Sequence, residues 1–159
     1  MSALNPYEKF LDERPVMDVL AETPRTIALL FEKMGPAKAY ESPAPGKWSA
    51  GEIVAHLADC ELVFGFRLRQ TLAEDGPTIQ PFDQDKWATT YSGIEPAEAL
   101  AAFTAFRRWN QLMLETALPA AANRTMTHPE RGTMTFQTVV ETMAGHDLNH
   151  LGQLRRIAE

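Results

Sequence analysis

The 159-residue chain predicts an all-α fold in which four long helices pack as a bundle. Three observations carry that expectation. Apolar residues recur at helical spacing through four long segments. Strand-like alternation is almost absent between them. The connectors are short except for one, between the second and third helices. A chain of this length buries one sizeable core, so residues 1–159 are read as a single domain.

The first helical segment covers about residues 15–34. Thr23-Pro24 has the chemistry of a cap followed by a first helical position, so a short helix and then a longer one are expected. Ile27, Leu30, Phe31 and Met34 form the apolar stripe, and Gly35-Pro36 ends it. The second helix opens at Ser49-Ala50-Gly51-Glu52, a capping box, and breaks at Asp75-Gly76-Pro77. The third begins near Glu95-Pro96, carries Leu100, Phe103, Phe106, Leu112 and Met113, and closes at Pro119. The fourth starts at a Thr135 cap, with Arg155 and Arg156 well placed against the dipole at its end. The crossover, residues 76–94, holds Pro77, Pro81, Phe82, Trp87 and Tyr91 and is long enough to cover a pocket. Thr125-Met126-Thr127 and Thr133-Met134-Thr135, on either side of His128-Pro129-Glu130-Arg131-Gly132, suggest a tiny hairpin with His128 exposed at its turn.

A net charge of −6 with scattered Lys and Arg argues against a nucleic-acid partner. No apolar run approaches ~20 residues, so no membrane span is expected. The opening Met1-Ser2-Ala3-Leu4-Asn5-Pro6 lacks a basic stretch followed by an apolar one, so no signal peptide is expected either. A lone cysteine, Cys60, excludes an intramolecular disulfide and fits a cytoplasmic location.

Chemistry concentrates in the histidines, of which there are four. His146 and His150 stand at i and i+4, on one helical face. At ~100° per residue, Val139, Met143, Phe136, Leu154 and Ile157 fall within ~80° of His146, so both histidines lie in the apolar stripe, with Gln153 at its edge. His56 likewise shares its face with Ile53, Cys60, Val63 and Phe64. A single inward histidine is usually a core residue with satisfied nitrogens. Three of them need partners for six ring nitrogens, and one shared metal ion satisfies them together. Three imidazoles also leave a coordination position open, as a catalytic site requires.

The motifs resemble a known family. Pro45-Gly46-Lys47-Trp48-Ser49-Ala50-Gly51-Glu52-Ile53-Val54-Ala55-His56-Leu57-Ala58-Asp59-Cys60-Glu61 is similar to the second helix of the DinB-like superfamily, which includes the YfiT-type proteins classed as metal-dependent hydrolases. His146-Asp147-Leu148-Asn149-His150-Leu151-Gly152-Gln153-Leu154 resembles its last helix, and His128 to Thr135 its lead-in. The resemblance implies a four-helix bundle with a long crossover after the second helix, and frequently a homodimer. It also implies one divalent metal ion, Zn2+ or Ni2+, held by His56, His146 and His150. Relatives include thiol-dependent transferases and isomerases, so a low-molecular-weight thiol is an implied cosubstrate.

An open three-histidine centre suits two reactions on a small-molecule substrate. It can generate hydroxide for hydrolysis, or deprotonate a thiol and present it to an electrophile. Hydrolysis normally needs a nearby carboxylate. Asp59, one turn beyond His56, is the candidate catalytic group, although holding a ligating imidazole suits it better. Trp48, Asp83, Asp85 and Trp87 are candidate substrate contacts. Arg67 lies on the inward stripe ~16 Å along the axis from His56, so pairing with an acid or snorkelling to water is expected of it. Cys60 reads as a buried filler. Ala144, Leu148 and Leu151 form an apolar strip on the back of the last helix, which suits the partner helix of a dimer. The lack of a Glu beside the histidines favours thiol transfer slightly over hydrolysis. Two non-catalytic alternatives are a stress-associated binding module with a structural metal and a metal-free helical adaptor.

Overall fold

Four long helices carry the architecture: α1 (Val16–Tyr40), α2 (Ala50–Ala73), α4 (Pro96–Ala121) and α5 (Phe136–Ala158). A one-turn helix, α3 (Gln84–Trp87), interrupts the crossover, and β1 (Thr125–His128) pairs antiparallel with β2 (Gly132–Thr135) before α5. This computed structural model describes residues 4–159; residues 1–3, where the stretch read for a signal peptide begins, lie outside them. Among the described residues no helix is long and apolar enough to cross a membrane.

Local chemistry explains most boundaries. The Ser49 hydroxyl accepts the Glu52 amide at 3.2 Å while the Glu52 carboxylate accepts the Ser49 amide at 2.8 Å, which completes the capping box. Thr135 caps α5 by accepting the Thr138 amide. The expected hairpin is present, with Met126 opposite Met134, and the chain at Thr78 bridges to its outer edge at Thr127.

The break expected at Thr23-Pro24 does not occur. Thr23 is buried inside α1 and turns its hydroxyl back to the Val19 carbonyl at 2.8 Å. The helix is interrupted instead at Gly35, whose φ of 74° only glycine adopts without strain. Pro24 has no N–H for the carbonyl of Leu20, four residues back. That carbonyl takes its hydrogen bond from another helix, through Arg107 Nη1 at 2.9 Å.

In the bundle α2 packs chiefly on α4 and α1 chiefly on α5, with α1–α4 and α2–α5 contacts closing the ring. Two apolar clusters fill it. One lies toward the hairpin, around Leu20, Leu68, Leu114, Phe136 and Val140; the other lies toward the opposite end, around Ile27, Ile53, Leu57, Phe103 and Leu154. The strip reserved for a dimer partner is internal: Ala144 packs in the first cluster, Leu151 in the second, and Leu148 touches both. Helix α1 covers this face, and a single-stripe reading of α5 could not assign it.

Between the clusters runs a charged layer. Arg107, 1% exposed, donates to both oxygens of Asp147 on α5 (2.6 and 2.9 Å) and to Glu61 on α2 (2.8 Å). Asn110 Nδ2 donates to the other Glu61 oxygen at 2.8 Å. Burial opposes the guanidinium charge, but the two carboxylates outweigh it and hold Arg107 above its ordinary pKa. Gly65 lets α4 approach, since a Cβ there would collide with the Asn110 side chain.

Removing Arg107 would leave two buried carboxylates without a counter-charge. Arg107→Met is expected to cost about 3–5 kcal/mol in urea unfolding, whereas exposed Arg108→Met should cost under about 0.5 kcal/mol. Equal losses in the two variants would contradict the assignment of Arg107 as the central tie.

Candidate functional site

The three histidines predicted to converge do so. His56 reaches in from the first half of α2, and His146 and His150 from one face of α5; all are buried. The Nε2 of His146 lies 3.1 Å from the Nε2 of His56 and 3.1 Å from that of His150. The three form a group able to hold a metal ion, with ligand atoms within 4.8 Å of one another.

Donor chemistry supports that fit. A neutral imidazole nitrogen either donates one hydrogen bond or accepts one. His146 Nε2 therefore cannot satisfy two ring nitrogens at 3.1 Å with protons alone. Tetrahedral zinc with ~2.05 Å bonds sets imidazole nitrogens roughly 3.3 Å apart, close to this spacing. Gln153 Oε1 lies 2.8 Å from His150 Nδ1. Because that oxygen only accepts, Nδ1 carries the proton and Nε2 turns its lone pair to the cluster.

Burial keeps all three rings neutral. It holds His56 down to about 3, with His150 adding to the effect. It holds His146 well below the ordinary value, helped by both other rings, and it lowers His150 against the opposing hydrogen bond that His150 donates to Gln153. Neutral imidazole is the form that binds a metal.

Aromatic rings enclose the cluster. Trp48 lies 5.0 Å from the His56 ring, and Tyr7 meets His146 edge-on at 4.9 Å. The Tyr7 segment lies so close to α5 that a Cβ on Gly145 would sit 2.6 Å from the Tyr7 carbonyl oxygen. This N-terminal cover has no sequence signal beyond the Asn5 side chain, which accepts the Tyr7 amide.

His56 and His146 form the floor of a cavity of about 370 Å³, with Tyr7, Cys60, Phe64 and Thr142 on its walls. Cys60 Sγ is 3.5 Å from His56 Nε2. Burial, then the charges of Glu61 and Asp59, push its thiol far above the ordinary value, so it is no nucleophile.

Other candidates are placed differently. Asp59 accepts the Tyr91 hydroxyl at 2.7 Å and bonds no imidazole; Gln153 does the orienting expected of Asp59. Asp83 is exposed, caps α3 through the Lys86 amide and pairs with Lys86 at 3.1 Å, so its role is local. Trp87 packs on Phe82 and lines a separate surface hollow with Phe66. Trp48 and Asp85 border a larger groove of about 520 Å³ with Gln153, which no imidazole lines. His128, expected to be exposed, is buried: β1 turns it inward, and its Nδ1 accepts the Glu130 amide at 3.2 Å. Arg67 has no acidic partner among the described residues, is 8% exposed, and lines the same cavity as His56. The ~16 Å axial offset misled because the Arg side chain reaches back along the helix.

These features define a class: a helical bundle with a buried, open-sided imidazole cluster suited to a metal. The chain belongs to the DinB superfamily, whose family model matches residues 20–154. It is 29% identical over 116 residues to a protein of Oceanobacillus iheyensis named "putative metal-dependent hydrolase", covering 72% of this chain and 67% of that one. A relative of the same description from Geobacillus kaustophilus is 33% identical over 115 residues, covering 69% of this chain and 63% of that one. The fold is similar to that of YfiT from Bacillus subtilis, described as a probable metal-dependent hydrolase with an unusual four-helix bundle topology. The TM-score is 0.78 at 22% identity, covering 92% of this chain and 91% of that one.

The neutral rings give a pH dependence. Unfolded imidazoles bind protons below about pH 6.5 and the folded ones do not, so stability is intact above that value and falls as pH drops toward the lowered folded values. At pH 5.5 the expected loss from His56 alone is about 1.4 kcal/mol, with His146 and His150 adding in the same direction. Denaturant titrations of chelator-treated protein at pH 7.5 and 5.5 measure it, and His146→Ala should reduce the difference.

Proposed function

We propose that this protein is a divalent-metal-dependent enzyme acting on a small molecule, with His56, His146 and His150 as the ligands and zinc or nickel as the ion. The observation that carries this reading is the convergence of three buried Nε2 atoms, two of whose rings, His56 and His146, line a cavity. When bound, such an ion supplies a Lewis acid that lowers the pKa of a coordinated thiol or water. Gln153 fixes the tautomer of His150, and Tyr7 and Trp48 limit water around the rings.

The acids near the cluster favour thiol-dependent transfer or isomerisation. Glu61 and Asp147 are committed to Arg107, and Asp59 is held by Tyr91. None is free to take a proton from water, whereas a thiol is acidic enough to need less help. A specific observation supports hydrolysis as the second reading: Glu130 borders the cavity mouth and is the one acid on its lining.

Protein purified without a histidine tag is expected to carry metal by elemental analysis, and His150→Ala is expected to lose it. Gln153→Leu should retain the fold while weakening metal binding by about 10–100-fold in chelator competition. The metal-loaded protein should join a low-molecular-weight thiol to a chloronitrobenzene electrophile. Turnover of nitrophenyl esters without thiol dependence would favour the hydrolase reading instead.

A further inference from the structure

One side of the cavity carries positive charge that no ion pair among the described residues neutralises. Arg67 rises from α2 and Arg131 from the hairpin turn, and both line the cavity floored by His56 and His146. Arg67 is 8% exposed, yet the only hydrogen bond of its guanidinium among the described residues runs from Nη2 to the Gln80 carbonyl at 2.7 Å. Its Nε is buried with no partner among the described residues. Neither guanidinium enters an ion pair among the described residues. Burial and the nearby Arg131 both act against the charge of Arg67.

His128 completes the wall. Its Nδ1 accepts the Glu130 amide, so the proton sits on Nε2, a neutral donor on the cavity lining. Glu130, the single acid of that lining, is solvent-exposed and forms no salt bridge with either arginine.

The contrast with Arg107 sets the expectation. Arg107 is buried to a similar degree and its Nε also lacks a partner, but its two Nη groups are held by two carboxylates and a carbonyl, so its charge is neutralised where that of Arg67 is not. A buried guanidinium left without an anion is costly unless a ligand supplies one. A planar fork of donors is also the geometry that grips a carboxylate or phosphate.

We propose that Arg67, Arg131 and His128 form an oxyanion subsite, so that the substrate is a small molecule bearing a carboxylate or phosphate. That group is held on the α2–hairpin wall while the reacting end faces the imidazoles. The cavity, about 370 Å³, stands at the small end of the ~300–1,000 Å³ range of ligand pockets. The inference rests on the proposed enzymatic reading for the reacting end, but the anion subsite itself needs no metal.

The test uses chelator-treated full-length protein, which removes metal as a competing anion binder. Isothermal calorimetry with inorganic phosphate and, separately, with benzoate should give saturable one-to-one binding for at least one probe. Phosphate alone assigns phosphate esters, benzoate alone assigns carboxylates, and both support the shared chemistry. Arg131→Gln, at a partly exposed turn, should weaken binding by about tenfold or more, as should Arg67→Met, while Arg108→Gln, exposed on α4 and away from the cavity lining, should leave it unchanged. The proposal is overturned if neither probe binds the wild type up to about 20 mM, or if Arg131→Gln binds as tightly as wild type. Elemental analysis of the untreated protein reports on the metal reading separately, so either can fail alone.

Discussion

One arginine ties this bundle together. Arg107 on α4 reaches α1 through the Leu20 carbonyl, α2 through Glu61 and α5 through Asp147. The carbonyl is available because Pro24 has no amide to offer it, so an internal proline creates the acceptor that an opposing helix fills. A charged layer of this kind contributes less to net stability than apolar packing would, since desolvation offsets most of the attraction. Its value is registry: only one axial alignment of the four helices brings all these partners together.

That registry matters to the site. Asp147 follows His146 directly on α5, and Glu61 lies one turn and a residue beyond His56 on α2. Fixing the two acids against Arg107 therefore fixes the axial positions of the two helices that supply imidazoles. Sliding either by one turn would carry its histidines about 5.4 Å out of reach. The polar tie and the imidazole cluster are adjacent layers of one arrangement, with apolar clusters on both sides.

The site is asymmetric in charge. The imidazoles of His56 and His146 on its lining are neutral, because burial keeps them unprotonated, and Arg67 and Arg131 make the same lining cationic elsewhere. Such a cavity orients a ligand with one anionic end and one reactive end. Two acids that sequence reading offered for the site are occupied elsewhere: Asp59, the candidate catalytic group, by Tyr91, and Asp83, a candidate substrate contact, by the cap and ion pair of α3.

The sequence by itself determined the helices and the histidine trio. Capping boxes, stop signals and the i, i+4 spacing are local, and local geometry is what periodicity encodes. It also located the crossover and the hairpin. Tertiary structure decided which second face of each helix is covered. The Ala144–Leu148–Leu151 strip of α5 meets α1, and Asp147 within that strip was the readable sign, since an acid in an apolar stripe calls for a buried partner. The partner, Arg107, lies 40 residues away, and no helical period links the two. His128 turned inward, and Arg67 came to line the cavity, for the same reason: their surroundings come from the hairpin and the crossover, segments whose packing no single-helix pattern records.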